Sequence, residues 1–231
     1  MEYNVRVLEV LFPGDLAFSV RFERPDTFSF LPGQFIIVST GTGTPASSKP
    51  LSLSGSPTDS WLEVTKGSTG HPFAEWLRGL KRGDEVTIRG PLGRFTFQGE
   101  FPKVAFIAGG IGITPLWSMI GNAIAMKYDT DITLLYSAKT EAEFLFREKM
   151  TELEKAGHFL SIVRTVTEPG PGWSGHTGRI DRNMIEQEIP DWQERIFFVS
   201  GPPVMVNAML AVLKEMGLPP DHIRYEDLTG Y

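Results

Sequence analysis

The chain has 231 residues, 41% hydrophobic and 22% charged, a balance that supports a folded globular protein and excludes a disordered one. Its net charge of −6 argues against a nucleic-acid footprint, and its four histidines, at 71, 157, 176 and 222, lack metal-ligand spacing. The absence of cysteine excludes disulfides, thiolate nucleophiles and any iron–sulfur cluster held by this chain.

The first hundred residues read as short alternating segments bounded by Gly and Pro. Strands are predicted over 4–11, 16–22, 35–39, 61–65 and 85–89, which suggests an antiparallel barrel or sandwich. The opening MEYNVRVLEV alternates like a strand and has no signal-peptide anatomy. One helix interrupts this half at 72–80, with Phe73, Trp76, Leu77 and Leu80 at i, i+3, i+4 and i+7. The residues 41–48 read as a polar loop of small side chains.

After Phe101-Pro102 the rhythm changes. Apolar strands at 104–108, 132–137, 159–166 and 196–200 alternate with helical patterns at 115–126, 141–156, 181–188 and 203–216. Such alternation marks a parallel sheet with crossover helices. Two domains are therefore expected, an antiparallel β-barrel over residues 1–100 and an α/β domain over 101–231. No apolar run approaches the roughly 20 residues of a membrane helix, and a cytoplasmic location is expected.

The most informative run is IAGGIGITPLWS at 107–118: strand, glycine turn, helix. Gly109, Gly110 and Gly112 would let the backbone approach a bulky anion, and a helix opening near Thr114-Pro115 would aim its N–H groups at the turn. A pyrophosphate fits such a turn. The run departs from G-x-G-x-x-G, since Pro115 stands at the third glycine. It is equally compatible with a tight strand–helix turn that binds nothing.

Further segments appear in order: Pro32-Gly33-Gln34-Phe35, Lys49-Pro50-Leu51-Ser52-Leu53-Ser54, Gly90-Pro91-Leu92-Gly93-Arg94-Phe95, Leu135-Tyr136-Ser137-Ala138 and Ser200-Gly201-Pro202-Pro203. With the glycine run, they resemble the ferredoxin–NADP reductase superfamily from end to end. Its patterns are Arg-x-Tyr-Ser-x-x-Ser, Gly-Pro-x-Gly-x-Phe, Gly-Gly-x-Gly-x-Thr-Pro and Cys-Gly-Pro-Pro. The resemblance implies an FAD-holding barrel, a nucleotide-binding α/β domain and a flavin lying between them.

By that resemblance Ser52 matches the serine beside flavin N5. Lys49 stands where Arg is usual and Leu51 where Tyr is usual, which removes a bidentate fork and a flanking ring. Val64-Thr65-Lys66 matches the strand whose backbone faces the flavin. Gly70-His71-Pro72-Phe73-Ala74 matches the helix start that receives the FAD pyrophosphate, with Ala74 where Ser or Thr is common. Phe73, Trp76 and Leu77 suit a helix's core face equally well.

Ser200 takes the place of the family cysteine beside the nicotinamide, over a floor of Gly201 and Pro202. Ser200 also reads as a helix N-terminal signal. Glu226 joins Ser52 and Ser200 as a candidate catalytic residue, and Tyr231 could stack on the flavin or fray as a chain end. Glu168 stands where NADPH-using relatives carry Arg, which favours NADH, although Lys139 and Arg164 lie close enough to serve a phosphate.

The implied activity is an FAD-dependent NAD(P)H oxidoreductase that passes electrons to a separate acceptor: a ferredoxin, a flavodoxin or an oxygenase component. Two rivals are a flavin reductase that releases reduced flavin and a non-catalytic flavin- or nucleotide-binding subunit.

Overall fold

Apolar residues that recur every second position put all their side chains on one face of a strand. The structure, a computed structural model that describes residues 1–14, 16–40, 48–156 and 159–228, uses this to build an antiparallel barrel. Its strands are β1 (Glu2–Gly14), β2 (Ala17–Glu23), β3 (Phe35–Ser39), β4 (Ser48–Ser52), β5 (Trp61–Gly67) and β6 (Glu85–Leu92). Val5 and Val7, Phe18, Val20 and Phe22, Ile36 and Val38, Leu62 and Val64, and Val86 and Ile88 form one buried cluster.

The strand order is β4-β3-β6-β1-β2-β5. A bridge between Leu53 and Val64 joins the last strand to the first, and the Ser54 N–H donates to the Glu63 carbonyl at 2.8 Å. This closure pairs strand edges that would otherwise be open. A short helix, α1 (Pro72–Arg78), sends Phe73 and Leu77 into the same core, with Trp76 and Leu80 packed against it. The predicted strands are all present, most of them longer than the alternation indicated.

The second sheet is parallel, in the order β10-β9-β8-β7-β11-β12. Its strands are β7 (Lys103–Gly109), β8 (Asp131–Ala138), β9 (Leu160–Val166), β10 (His176–Thr177), β11 (Ile196–Gly201) and β12 (Ile223–Asp227). Its central strands are continuous apolar runs because helices cover them. α4 (Arg182–Glu188) and α5 (Pro203–Glu215) place Met184, Ile185, Val206, Met209 and Leu213 against Ala105, Ile107, Leu135, Phe197 and Val199. Asp181 caps α4, its Oδ1 accepting from the Met184 N–H at 2.9 Å.

The chain steps outward from β7 to β10, then returns to place β11 on the other side of β7. The order reverses between β7 and β11, and in open α/β sheets ligands bind beyond the carboxyl ends of the strands at such a reversal. At the opposite end of the strands, buried Arg195 holds both Asp131 oxygens (3.1 and 2.9 Å), both Asp191 oxygens (2.6 and 3.1 Å) and the Val104 carbonyl (3.1 Å). Lys103 adds ion pairs to Asp191 and Glu194. The clamp ties together the starts of β7, β8 and β11.

Two compact units emerge, Met1–Gln98 with Thr114–Lys127, and Gly99–Ile113 with the chain from Tyr128 onward. Helix α2 (Ile113–Met126) thus groups with the barrel over most of its length. Its Ser118 hydroxyl donates to the Gly55 carbonyl at 2.6 Å.

Two helix predictions are corrected. The segment 141–156 is not one helix: a single turn at Glu141–Glu143 gives way to extended Phe144, Phe146 takes φ +58°, and α3 begins at Arg147 (Arg147–Ala156). Phe144, Leu145 and Phe146 are all buried, and three successive residues cannot all face inward on one helix. In the glycine run, Gly110–Gly112 form a tight 3-10 turn and α2 opens at Ile113, ahead of Thr114-Pro115.

Candidate functional site

The carboxyl ends of β7 and β11 meet at glycines. A Cβ on Gly201 would lie 3.3 Å from both the Cα and the N of Gly109. On Gly112 it would overlap the Ser200 carbonyl and the Gly201 Cα, and on Gly109 it would overlap the Met205 sulfur. Gly109, Gly112 and Gly201 are therefore small so that the turn can close on the strand end. Gly110 differs, with φ +51° and nothing within 4 Å of the point where a Cβ would stand. It is the part of the turn with open space beside it. Thr114 is buried, and Pro202 and Pro203 open α5.

Ser200 and Glu226 occupy the same register on adjacent β11 and β12. Among the described residues, Ser200 Oγ and Glu226 Oε2 are buried atoms with no hydrogen-bond partner. Burial, with the nearby Asp227 charge adding to it, pushes the Glu226 carboxyl up to about 7. Buried polar atoms are normally paired, and each orphan costs about 1–3 kcal/mol. Ser200 does not cap α5; the N-cap is Pro202, because the strand continues through Gly201. The pair of orphans can take a ligand group that both donates and accepts, as a carboxamide does.

In the barrel, Leu51 and Leu53 point inward, and Lys49 shares their parity. Pro50 and Ser52 lie on the other face, with Ser52 buried opposite Phe35. Lys66 shares the inward parity of Leu62 and Val64 and is buried. Its ammonium is held below the usual lysine range, first by burial and then by the Lys49 charge. Two cations brought together at a desolvated position disfavour each other.

Next in sequence, Gly70 has φ +72° and open space beside it, and exposed His71 and Pro72 start α1 without a side-chain cap. This donor set of two lysines and backbone N–H groups fits a pyrophosphate.

Several candidate side chains are committed elsewhere. Leu51, Val64 and Phe73 belong to the barrel core, and Ala74 is buried, so these positions offer backbone only. The Thr65 hydroxyl shares hydrogen bonds with Ser19 (2.7 Å) and Ser54 (2.8 Å) in a buried chain that runs on to Glu63. Glu168 pairs with Lys139 at 3.4 Å, both more than half exposed, while Arg164 is held by both Glu154 oxygens at 3.0 Å. Tyr231 lies outside the described residues. The residue to which sequence reasoning gives no role is Tyr136, whose buried hydroxyl reaches the glycine turn. Its signal is an aromatic hydroxyl directly after the buried apolar pair Leu134 and Leu135.

A closed antiparallel barrel joined in one chain to a parallel sheet with a glycine turn at its order reversal defines a two-domain nucleotide-binding architecture. The chain shares the two-domain fold of solved ferredoxin reductases. Residues 106–210 match the family described as oxidoreductase NAD-binding domain. The glycine betaine monooxygenase reductase subunit of Chromohalobacter salexigens is 30% identical over 97% of this chain and 63% of its own length. NADH-cytochrome b5 reductase 2 of Mycosarcoma maydis is 30% identical over 63% of this chain and 43% of its own. The chain thus spans less than two thirds of either relative. A ferredoxin NADP+ reductase from Neisseria gonorrhoeae with bound FAD and NADP shares the fold at a TM-score of 0.83 and 17% identity, over 98% of both chains.

Proposed function

We propose that this chain is an FAD-dependent NAD(P)H oxidoreductase that passes electrons to a separate acceptor. The observation that carries the reading is the pair of unpartnered buried oxygens, Ser200 Oγ and Glu226 Oε2, beside the glycine ends of β7 and β11. These polar atoms lie at the strand ends where a sheet of this order takes a nucleotide. In this reading Ser200 and Glu226 receive the nicotinamide carboxamide, the open face at Gly110 admits the nucleotide pyrophosphate, and Gly201-Pro202 floor the ring.

Lys49, Lys66 and the backbone N–H groups of Gly70 and His71 would hold the FAD pyrophosphate. Ser52 would hydrogen-bond at the flavin atom that receives hydride. FAD, when bound, supplies two-electron acceptance from nicotinamide C4 and onward release of single electrons. The protein's own part is to orient the partners, exclude water and hold a proton on Glu226 near neutral pH.

NADH is the favoured nucleotide in this reading, since Glu168 offers a carboxylate at the position that the family resemblance matches to the 2′-phosphate-binding Arg. The acceptor is a ferredoxin, a flavodoxin or an oxygenase component; the Chromohalobacter relative is named as a monooxygenase reductase subunit. The test is anaerobic mixing of FAD-loaded protein with NADH or NADPH, following flavin absorbance. Bleaching within seconds is expected, and a flavin that stays oxidised would overturn the activity.

One observation favours the flavin-reductase reading: Leu51 and Ala74 are buried and give a flavin no side-chain hydrogen bond. Gel filtration separates the two, because an electron-transfer reductase keeps its FAD through the column and a flavin reductase sheds it.

A further inference from the structure

Tyr136 lies on β8, beside the strand that feeds the glycine turn, and its side chain is fully buried. Its O–H donates to the Gly110 carbonyl at 3.0 Å, and its oxygen accepts from the Leu145 N–H at 3.2 Å. One hydroxyl therefore joins the turn after β7 to the segment after β8. The Gly110 carbonyl also accepts from the Ile113 N–H that closes the 3-10 turn, so both of its lone pairs are used. Burial holds the phenol well above its usual titration range, so the donor proton stays in place.

The turn needs this restraint. Gly110 has φ +51° and nothing within 4 Å of the point where a Cβ would stand. With no Cβ on Gly110, the peptide plane between Gly110 and Ile111 can rotate about the Gly110 side at low steric cost. Fixing the Gly110 carbonyl fixes the whole planar peptide, and its N–H at Ile111 then points to the opposite side. The tyrosine ring cannot swing away. It meets Phe144 edge-on (4.9 Å, 69°), Phe144 stacks on Trp173 (5.8 Å, 25°), and the Trp173 N–H is held by the His176 carbonyl at 2.8 Å.

We propose that Tyr136 is a positioning residue for nucleotide binding: through its hydrogen bond to Gly110 it holds the turn in the ligand-ready peptide orientation and so sets nucleotide affinity without touching the nucleotide. This rests on the nucleotide-binding reading of the turn given above. The ligand class is the pyrophosphate-bearing, ADP-ribosyl half of a nicotinamide dinucleotide.

The experiment compares the FAD-loaded wild type with Tyr136→Phe, Gly110→Ala and the double variant. Calorimetry with ADP-ribose gives Kd, and stopped-flow reduction by NADH gives its Kd and limiting rate separately. FAD content and Tm are recorded for each. Tyr136→Phe keeps the ring packing and deletes one hydroxyl, so Kd should rise roughly three- to tenfold. The limiting rate should stay within about twofold and FAD content should be unchanged.

If Tyr136 acts through Gly110, the double variant loses little more than the worse single one. A lower Tm with unchanged Kd would make Tyr136 a packing residue and overturn the proposal, as would losses that multiply in the double variant. Wild type that binds ADP-ribose while its flavin is not bleached by NADH would refute the reductase reading and leave Tyr136 tested by calorimetry. Wild type that binds no ADP-ribose would overturn both.

Discussion

Ser200 and Glu226 sit at the same level of adjacent parallel strands, and among the described residues each buries a side-chain oxygen that has no partner. Glu226 carries the larger consequence. Its folded-state value is raised, to about 7, so the protonated form is the one the fold prefers. Its contribution to stability is full below the unfolded carboxylate value, near 4.5, and is lost as pH rises through about 7. Glu226→Gln removes that dependence. From pH 5 to pH 8 the wild type should lose about 2 kcal/mol that the variant keeps. Urea unfolding at both pH values checks this, and parallel pH profiles for the two proteins would refute it.

Lys66 should matter more to FAD than to the barrel itself. It is buried beside the Lys49 charge, and an anionic ligand would add favourable charge there. Lys66→Met should raise the FAD dissociation constant about tenfold or more while the Tm of the apoprotein holds or rises. Flavin fluorescence titration measures the first and thermal melts the second. Wild-type FAD affinity in the variant would remove Lys66 from the site.

How far these features can be read from the sequence depends on the distance over which each is decided. Strand positions follow from local alternation, as with Phe18, Val20 and Phe22. Barrel closure is hidden because Glu63 and Thr65 look like a solvent face, yet both are buried. The break before α3 is hidden because Phe144 and Leu145 fit a helical period, and only tertiary burial of Phe146 beside them forces the chain to unwind. Motifs draw attention to Ser200 and Glu226 separately. Their pairing depends on the β11–β12 register, which no local pattern encodes. Tyr136 stands within a motif, but its role requires knowing that β8 lies beside β7.

The glycines of the turn should separate by function. Gly112→Ala drives a Cβ into the Ser200 carbonyl and the Gly201 Cα, both backbone, so something must move. A loss of about 2–3 kcal/mol in stability is expected, as for overpacking in a tight core. Gly110→Ala meets open space and has only its positive φ to accommodate, at about 1 kcal/mol. Denaturant midpoints rank the two, and a Gly112→Ala protein as stable as Gly110→Ala would contradict the close approach of turn and strand.

Arg195 should be the main electrostatic support of the parallel sheet. It is buried and bound by Asp131, Asp191 and the Val104 carbonyl. Arg195→Met leaves the carboxylates facing each other, and since Asp131 is about half exposed, water softens the penalty to roughly 2–3 kcal/mol. The hydrogen bonds from Arg195, then from Lys103, hold Asp191 below its usual range. A depressed carboxylate stabilises the fold above its unfolded value, near 3.8, and that stability is lost as pH falls through the lower folded value. The wild type should therefore destabilise steeply below about pH 4, and the variant less so. Acid titrations followed by circular dichroism test the difference in slope.

Nucleotide choice should follow Glu168 and its partner. Glu168 follows the end of β9 and its N–H donates to the Lys139 carbonyl at 2.8 Å, so the two residues after β8 and β9 are fastened side by side. Their side chains pair at 3.4 Å, with both ends largely in solvent. Such a pair is worth well under about 1 kcal/mol and breaks readily when a ligand arrives. The ribose hydroxyl of NADH can donate to the freed carboxylate. A 2′-phosphate would meet like charge there, while Lys139 supplies only one compensating cation and Arg164 is occupied by Glu154. A several-fold preference for NADH in kcat/KM is expected, corresponding to about 1 kcal/mol. Glu168→Gln should narrow it by freeing Lys139, and Glu168→Arg should reverse it. Lys139→Ala should sharpen it, because the phosphate then loses its one cation. Steady-state kinetics with both nucleotides on all four proteins decides the matter. A wild type that prefers NADPH, or a ratio that none of the three substitutions moves, would show that the 2′ position is read elsewhere in the chain.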